Sequence, residues 1–134
     1  MKINNKSYKN GFIKLKNKEW AEKQRVAGKI TAATLSLLKK EMNNYSLSKL
    51  NNIAEEFILD NKCTPTFKNY NKFPAAVCMS LNKCLVHGVP KDYTLEEGDI
   101  ISFDLGCTFD NVVADSAITL INRKTQIKFT CYFG

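Results

Sequence analysis

The feature that most constrains the fold is a pair of apolar runs separated by a short polar turn. The runs are Ile100–Leu105 and Val112–Leu120, and each carries one aspartate, Asp104 in the first and Asp115 in the second. Phe109-Asp110-Asn111 lies between them, and Asp and Asn suit turns because their side chains bond the local backbone and tolerate left-handed dihedrals. Two apolar runs joined in this way predict an antiparallel β-hairpin.

The position of the turn decides how the two aspartates face each other. A turn centred between Phe109 and Asp110 places Asp104 directly opposite Asp115, with Cβ atoms about 4.5–5.5 Å apart. A turn centred on Asp110-Asn111 makes the two aspartates diagonal neighbours. We assume the first register. Two carboxylates so placed are either neutralised by one or two divalent cations or lie on a solvated sheet face, and the hairpin alone leaves both interpretations open.

Length and composition limit the classes of protein that fit. The chain has 134 residues, enough for one domain, and no apolar run approaches the ~20 residues of a membrane span. Its net charge is +7, but only two of its 20 basic residues are arginines and the lysines are spread along the chain, so nucleic-acid binding is disfavoured. Five cysteines without a CxxC pair, and no signal-peptide pattern, predict reduced thiols and a cytoplasmic location.

Two amphipathic helices are predicted before the hairpin. Asn17 suits the N-cap of the first, which should end near Glu41, and Ser46 suits the N-cap of the second. Apolar residues recur at helical spacing on one face of each helix: Val26, Ile30, Ala33 and Leu37 on the first, and Leu47, Leu50, Ala54 and Phe57 on the second. Helices followed by strands predict an α+β fold in which two helices pack on an antiparallel sheet.

The remaining segments are assigned by composition. Residues 1–11 are predicted to be a basic, loosely ordered extension, and residues 12–134 to form the domain. Short strands are predicted at Phe12–Leu15, at Ala75–Leu81 with a continuation over Leu85–Val89, and at Gln126–Phe133.

Several strings spread over Phe12 to Leu120 resemble one family. They are EKQRVAGKITAATL, FKNYNKFPAAVCMSLN, CLVHGVP, LEEGDIISFDLG and ADSAIT. Together they resemble the type I methionine aminopeptidases, which are metallopeptidases of the pita-bread fold. A histidine and two aspartates appear in the family's order and at its approximate spacing. The resemblance implies half of a pita-bread fold, because that fold is built from two related halves and this chain matches the N-terminal one.

The resemblance also implies roles for individual residues. Asp104 and Asp115 correspond to ligands of two divalent metal ions (Co, Mn, Fe or Zn), and Asp115 would bridge them. His87 corresponds to a catalytic and substrate-binding residue that stabilises the tetrahedral intermediate. Tyr70, Phe73 and Cys78 would form the walls of the pocket for the methionine side chain. The implied reaction is metal-dependent hydrolysis that removes the N-terminal methionine from nascent proteins.

Three further metal ligands of the family, one histidine and two glutamates, come from its second half. We therefore expect this chain alone to be an incomplete site that binds metal weakly and is inactive. The expected partners are nascent polypeptide N-termini and the ribosome, with self-association through the uncovered half-domain surface and no membrane. The alternative is a non-catalytic pita-bread relative that binds protein or nucleic acid.

Overall fold

The computed structural model describes residues 6–8, 11–13 and 15–123. The first elements are two short antiparallel strands, β1 (Lys6–Tyr8) and β2 (Gly11–Ile13). Strand β1 lies inside the segment for which a loosely ordered extension was predicted, so at these residues the structure differs from that expectation. The predicted strand Gln126–Phe133 lies outside the described residues.

Both predicted helix starts are confirmed. Helix α1 (Lys18–Glu41) begins after Asn17, whose side chain accepts a hydrogen bond from the Trp20 N–H at 2.8 Å. Helix α2 (Leu47–Asp60) begins after Ser46, whose hydroxyl accepts from the Lys49 N–H at 3.4 Å. These side chains satisfy N–H groups that have no partner within a helix's first turn.

The predicted apolar faces are partly wrong. In α1 the buried residues are Ala27, Thr31, Thr34, Leu35 and Leu38, whereas Val26 is 38% exposed. A search for apolar residues at helical spacing does not find these threonines. Their burial costs little free energy because each hydroxyl donates a hydrogen bond to the carbonyl four residues earlier in the helix. In α2 the buried face includes Ile58, while Phe57 is only half-buried.

The main sheet contains β3 (Thr64–Pro65), β4 (Val77–Leu81), β5 (Ile100–Phe109) and β6 (Val112–Ile121). Strand β5 is central: it pairs antiparallel with β3 and β4 on one side and with β6 on the other. One face of β5 is fully buried in the core under α1 and α2, through Ile101, Phe103, Leu105 and Cys107. The predicted α+β architecture, with two helices packed on an antiparallel sheet, is confirmed.

The predicted continuation of β4 over Leu85–Val89 is wrong. Leu85 is 87% exposed, and His87 takes a left-handed backbone conformation with φ 56°. The chain instead turns back along β4, where the Met79 N–H donates to the Gly88 carbonyl at 2.8 Å and the Gly88 N–H donates to the Ser80 hydroxyl at 3.1 Å. A Cβ on Gly88 would lie 2.1 Å from the Met79 carbonyl oxygen, so the close approach requires glycine.

Candidate metal and substrate site

The hairpin has the alternative register, and the assumed one is wrong. The loop consists of Asp110 and Asn111, with φ 44° and 62°, and the last pair before it is Phe109 with Val112. A two-residue type I′ loop needs positive φ at both positions, which Asp and Asn tolerate. The assumed register would have placed Phe109 in that conformation, which a bulky side chain rarely adopts.

The two aspartates are therefore diagonal neighbours on one face of the sheet. Asp104 pairs with Ala117, and Asp115 lies two residues from Ala117 on β6, so both side chains point away from the helices. The pKa of Asp104 is raised, first by partial burial and then by the negative charge of Asp115 and a hydrogen bond between the two carboxyl groups. His87 acts in the opposite direction and lowers the pKa of Asp104 slightly.

Cys78 of β4 completes a row with the aspartates on this face. It pairs directly with Asp104 across β4 and β5, and its side chain is buried. Burial raises the pKa of the Cys78 thiol to about 11, and the charges of Asp104 and Asp115 contribute in the same direction. The thiol is consequently neutral at physiological pH and presents an apolar sulfur to its surroundings.

A cavity of about 540 Å³ lies over this face, and all the predicted site residues line it. The full lining is Phe67, Tyr70, Asn71, Lys72, Phe73, Pro74, Cys78, His87, Asp104 and Asp115. The sequence prediction missed Phe67, Asn71, Lys72 and Pro74. Their position beside Tyr70 and Phe73 in the same turn-rich segment is the signal that could have identified them.

The aromatic wall of the cavity is a tightly bonded loop. The Tyr70 N–H donates to the Phe67 carbonyl at 3.0 Å, and the Phe73 N–H donates to the Tyr70 carbonyl at 2.9 Å. Asn69, with φ 67°, starts the turn and donates its N–H to the Phe73 carbonyl at 2.8 Å. An ion pair between Lys68 and Glu55 ties the loop to α2. The wall is thus fixed by the chain itself.

The donor set suits a divalent cation in type but is small in number. Two carboxylates on one face, one of them partly buried beside a like charge, are hard oxygen ligands that a cation would stabilise. Among residues 15–123, however, no three His, Cys, Asp or Glu side chains are grouped so that they could hold a metal ion. In the described part of the chain, the candidate oxygen donors for a cation are therefore these two carboxylates.

Comparison with known proteins identifies the family of this chain. Residues 22–130 match the model of metallopeptidase family M24. The chain is 40% identical over 122 residues to a methionine aminopeptidase of Mycoplasma capricolum, covering 87% of this chain and 49% of that protein. It is 45% identical over 109 residues to one of Helicobacter pylori, covering 81% of this chain and 43% of that protein. The chain thus spans about half the length of the curated relatives it matches.

Solved structures share the fold of this chain. The structure of methionine aminopeptidase from Rickettsia prowazekii superposes with a TM-score of 0.79 at 31% identity, covering 87% of this chain and 47% of that one. A prolidase from Pyrococcus furiosus superposes with a TM-score of 0.68 at 22% identity, covering 79% of this chain and 32% of that one, and shows the shared fold alone. No helix in the described residues is long and apolar enough to cross a membrane.

Proposed function

This chain belongs to metallopeptidase family M24, and we propose that it provides the methionine pocket and two metal-binding carboxylates of a methionine aminopeptidase. The observation that carries the proposal is the convergence of the predicted residues on one cavity, although they come from three separate parts of the chain. The reaction is metal-dependent hydrolysis of the peptide bond after an N-terminal methionine.

Asp104 and Asp115 are the proposed ligands of two divalent ions, drawn from Co, Mn, Fe and Zn. Held by these two carboxylates, a metal ion would supply an acidified water and a Lewis acid for the scissile carbonyl. The protein contributes the position of the carboxylates, which sheet pairing fixes on neighbouring strands β5 and β6. Their mutual repulsion favours cation binding because the cation removes an unfavourable interaction between them.

The substrate's methionine side chain is proposed to lie between Tyr70, Phe73 and Cys78. Aromatic rings and a neutral thiol are favourable neighbours for a thioether. His87 lines the same cavity and can donate a hydrogen bond to the oxygen that gains negative charge in the tetrahedral intermediate. Its backbone is held in place by the Gly88 contacts with β4.

The proposed metal site needs more ligands than the two carboxylates that residues 15–123 bring together. The sequence contains one histidine, which is His87 itself, and two carboxylates alone leave most coordination positions to water. We therefore propose weak metal binding and negligible hydrolysis by this chain alone, and a complete site when a second segment carrying a histidine and two glutamates packs against it.

The proposed partners follow from this function. The proposed substrates are N-termini of nascent polypeptides in the cytoplasm, and the ribosome, where these N-termini emerge, is the proposed place of their encounter. Self-association is proposed through the sheet edge at β6, which pairs with a strand on one side only among the described residues.

The test is a metal titration combined with a peptide assay. Mn²⁺ binding is followed by electron paramagnetic resonance, and methionine release is measured from a Met-Ala-Ser peptide, with and without the C-terminal half of a curated relative. We expect activity only in the complemented sample, loss of that activity in Asp115→Ala, and full activity in the control Asp60→Ala, which changes an exposed carboxylate at the end of α2. His87→Ala should keep Mn²⁺ binding and lower turnover.

Robust turnover by the 134 residues alone would refute the incomplete site, and a complemented enzyme indifferent to Asp115→Ala would refute the ligand assignment. The alternative function is a non-catalytic binding module. The proximity of Asp104, Asp115 and His87 argues against it, because a binding module has no need to hold two repelling carboxylates together. Binding of a protein or RNA without any effect of Asp104→Ala or Asp115→Ala would favour the module.

A further inference from the structure

Lys72 is a charged group of the cavity that the proposed function does not use. It lines the cavity together with His87 and the two aspartates. Of the described side chains that line this cavity, it is the one lysine or arginine, so it supplies a positive charge to the surface. None of the ion pairs within the described residues includes Lys72, so Asp104 and Asp115 do not already occupy its ammonium group.

The backbone of Lys72 is held in an unfavourable conformation. Its φ is 64°, in the left-handed region that glycine adopts freely and that a lysine rarely adopts. The loop is closed around it by two hydrogen bonds, from the Asn69 N–H to the Phe73 carbonyl and from the Phe73 N–H to the Tyr70 carbonyl. Strained backbone that the surrounding structure imposes is concentrated at active sites and ligand clamps. The strain at Lys72 therefore points to a role for its side chain in binding.

The part of the substrate that Lys72 can contact follows from the roles of the other lining groups. In the proposed function, Tyr70, Phe73 and Cys78 surround the methionine side chain. His87 and the two aspartates act at the peptide bond that follows the methionine. The segment after that bond is left for Lys72. Lys72 is next to Phe73 in the chain, and an extended peptide advances about 3.3 Å per residue, so a lysine side chain can reach the second or third residue of the substrate.

We propose that Lys72 binds a side-chain carboxylate on the second or third residue of the substrate, so that it favours N-termini in which an acidic residue closely follows the methionine. The inference rests on the proposed function, because the methionine in its pocket is the anchor that brings this residue to Lys72. An ammonium group only donates hydrogen bonds, and the carboxylates of Asp and Glu are the peptide side chains that accept them with the opposite charge. Asn71, which also lines the cavity, can donate from its amide to the same carboxylate.

The two aspartates of the cavity act against this preference in the metal-free chain, so the contribution of Lys72 is measured as a difference. Their repulsion of an acidic peptide is present with and without the lysine, and it cancels in a double-mutant cycle between Lys72 and the peptide's carboxylate. Lys72 is exposed, and an exposed ion pair changes affinity by about twofold to fivefold. Salt weakens such a pair by screening.

The test is isothermal titration calorimetry of C-terminally amidated peptides with the 134-residue chain in EDTA, which needs neither metal nor turnover. Met-Glu-Ala is compared with Met-Gln-Ala, and Met-Ala-Glu with Met-Ala-Gln. The measured quantity for each pair is the Kd of the Gln peptide divided by the Kd of the Glu peptide. In at least one pair, this ratio should be about twofold to fivefold larger for the native chain than for Lys72→Gln, and the difference should shrink at high salt.

Three further variants separate binding from charge and folding. Lys62→Gln is the matched control, because Lys62 is also exposed and left-handed, with φ 61°, but does not line the cavity; it should leave the ratio unchanged. Lys72→Arg keeps the charge and should keep the preference. Lys72→Gly relieves the backbone strain, so in urea it should be at least as stable as the native chain while it loses the preference.

The outcomes distinguish this inference from the proposed function. A ratio that is the same in the native chain and in Lys72→Gln, for both peptide pairs, overturns the inference and leaves the methionine pocket standing. A loss of preference in Lys62→Gln equal to that in Lys72→Gln also overturns it, since the effect would then come from net charge. If Ser-Ala-Glu binds as tightly as Met-Ala-Glu, or if no peptide binds, methionine is not the anchor, and both the pocket and this inference are overturned.

Discussion

Replacing Asp104 by asparagine should stabilise the metal-free chain. The pKa of Asp104 in the folded state is raised above its ordinary value, so the ionised carboxylate is less favourable in the fold than in the unfolded chain. The penalty is fully present at pH values above both pKa values, and it disappears as the pH falls below the ordinary value of about 3.9, where the group is protonated in both states. Asparagine keeps the shape of the side chain and removes the charge.

The magnitude follows from the neighbouring charge and the exposure of the site. Two unit charges about 4 Å apart repel by about 1 kcal/mol in water and about 4 kcal/mol at an effective dielectric of 20. Asp104 is half-buried and Asp115 is exposed, so solvent screening places the value at the lower end. We expect Asp104→Asn to raise the free energy of unfolding by roughly 1 kcal/mol, or to raise Tm by about 4 °C.

The assay is urea unfolding in EDTA at pH 7.5, repeated at pH 3. Asp115→Asn removes the same repulsion but leaves Asp104 partly buried, so the double variant should gain little more than Asp104→Asn alone, and the control Asp60→Asn should change stability by less than about 0.5 kcal/mol. The gain should vanish at pH 3. A less stable Asp104→Asn chain, or additive effects of the two substitutions, would refute the argument that the carboxylates repel each other in the absence of metal.

Three further outcomes are expected. Gly88→Ala should lower the free energy of unfolding in urea by about 1–3 kcal/mol and weaken methionine-peptide binding, because there is no space for its Cβ. Gly28→Ala is the control and should not destabilise the chain, because the nearest atom to its Cβ is 4.0 Å away. Hydrogen bonds lower the pKa of Asp99 in the folded state. The stability that its carboxylate contributes is therefore present at pH values above its ordinary pKa and is lost as the pH falls through its pKa in the folded state. Asp99→Asn should therefore destabilise the chain most near pH 7 and least near pH 2. Burial raises the pKa of Cys78 to about 11, so Cys78 should react with iodoacetamide roughly tenfold more slowly than the exposed Cys84, with the two compared in one sample by peptide mass spectrometry.

Helix starts and the hairpin could be predicted from the sequence because their determinants are local. Asn17 and Ser46 act on N–H groups within three residues of themselves, and Asp110-Asn111 fixes a turn by its own dihedrals. The failures concern interactions that are distant in sequence. The burial of Thr31 depends on the position of β6, and the conformation of His87 depends on a carbonyl of β4 that Gly88 approaches.

The candidate site survived an error in the register for a geometric reason. Moving the turn by one residue shifts every cross-strand partner by two residues, so the partner of Asp104 changes from Asp115 to Ala117. Residues two apart on a strand lie on the same face, so both aspartates keep their face. An error of half that size would have reversed the faces and separated the aspartates. The prediction that the two aspartates share a face therefore required only that the loop contain an even number of residues. The exact position of the loop affected only the distance between the two carboxylates.

The described residues supply the walls of the proposed methionine pocket more fully than they supply the proposed metal ligands. The pocket walls come from the loop around Tyr70 and Phe73, from Cys78 on β4 and from His87, and the hydrogen bonds that position them lie within the described residues. The proposed metal ligands are two carboxylates on the open face of the sheet, where the described residues offer no third ligand. If the proposed assignment is right, the described residues can form the methionine pocket by themselves, whereas metal binding strong enough for hydrolysis would need ligands beyond these two carboxylates.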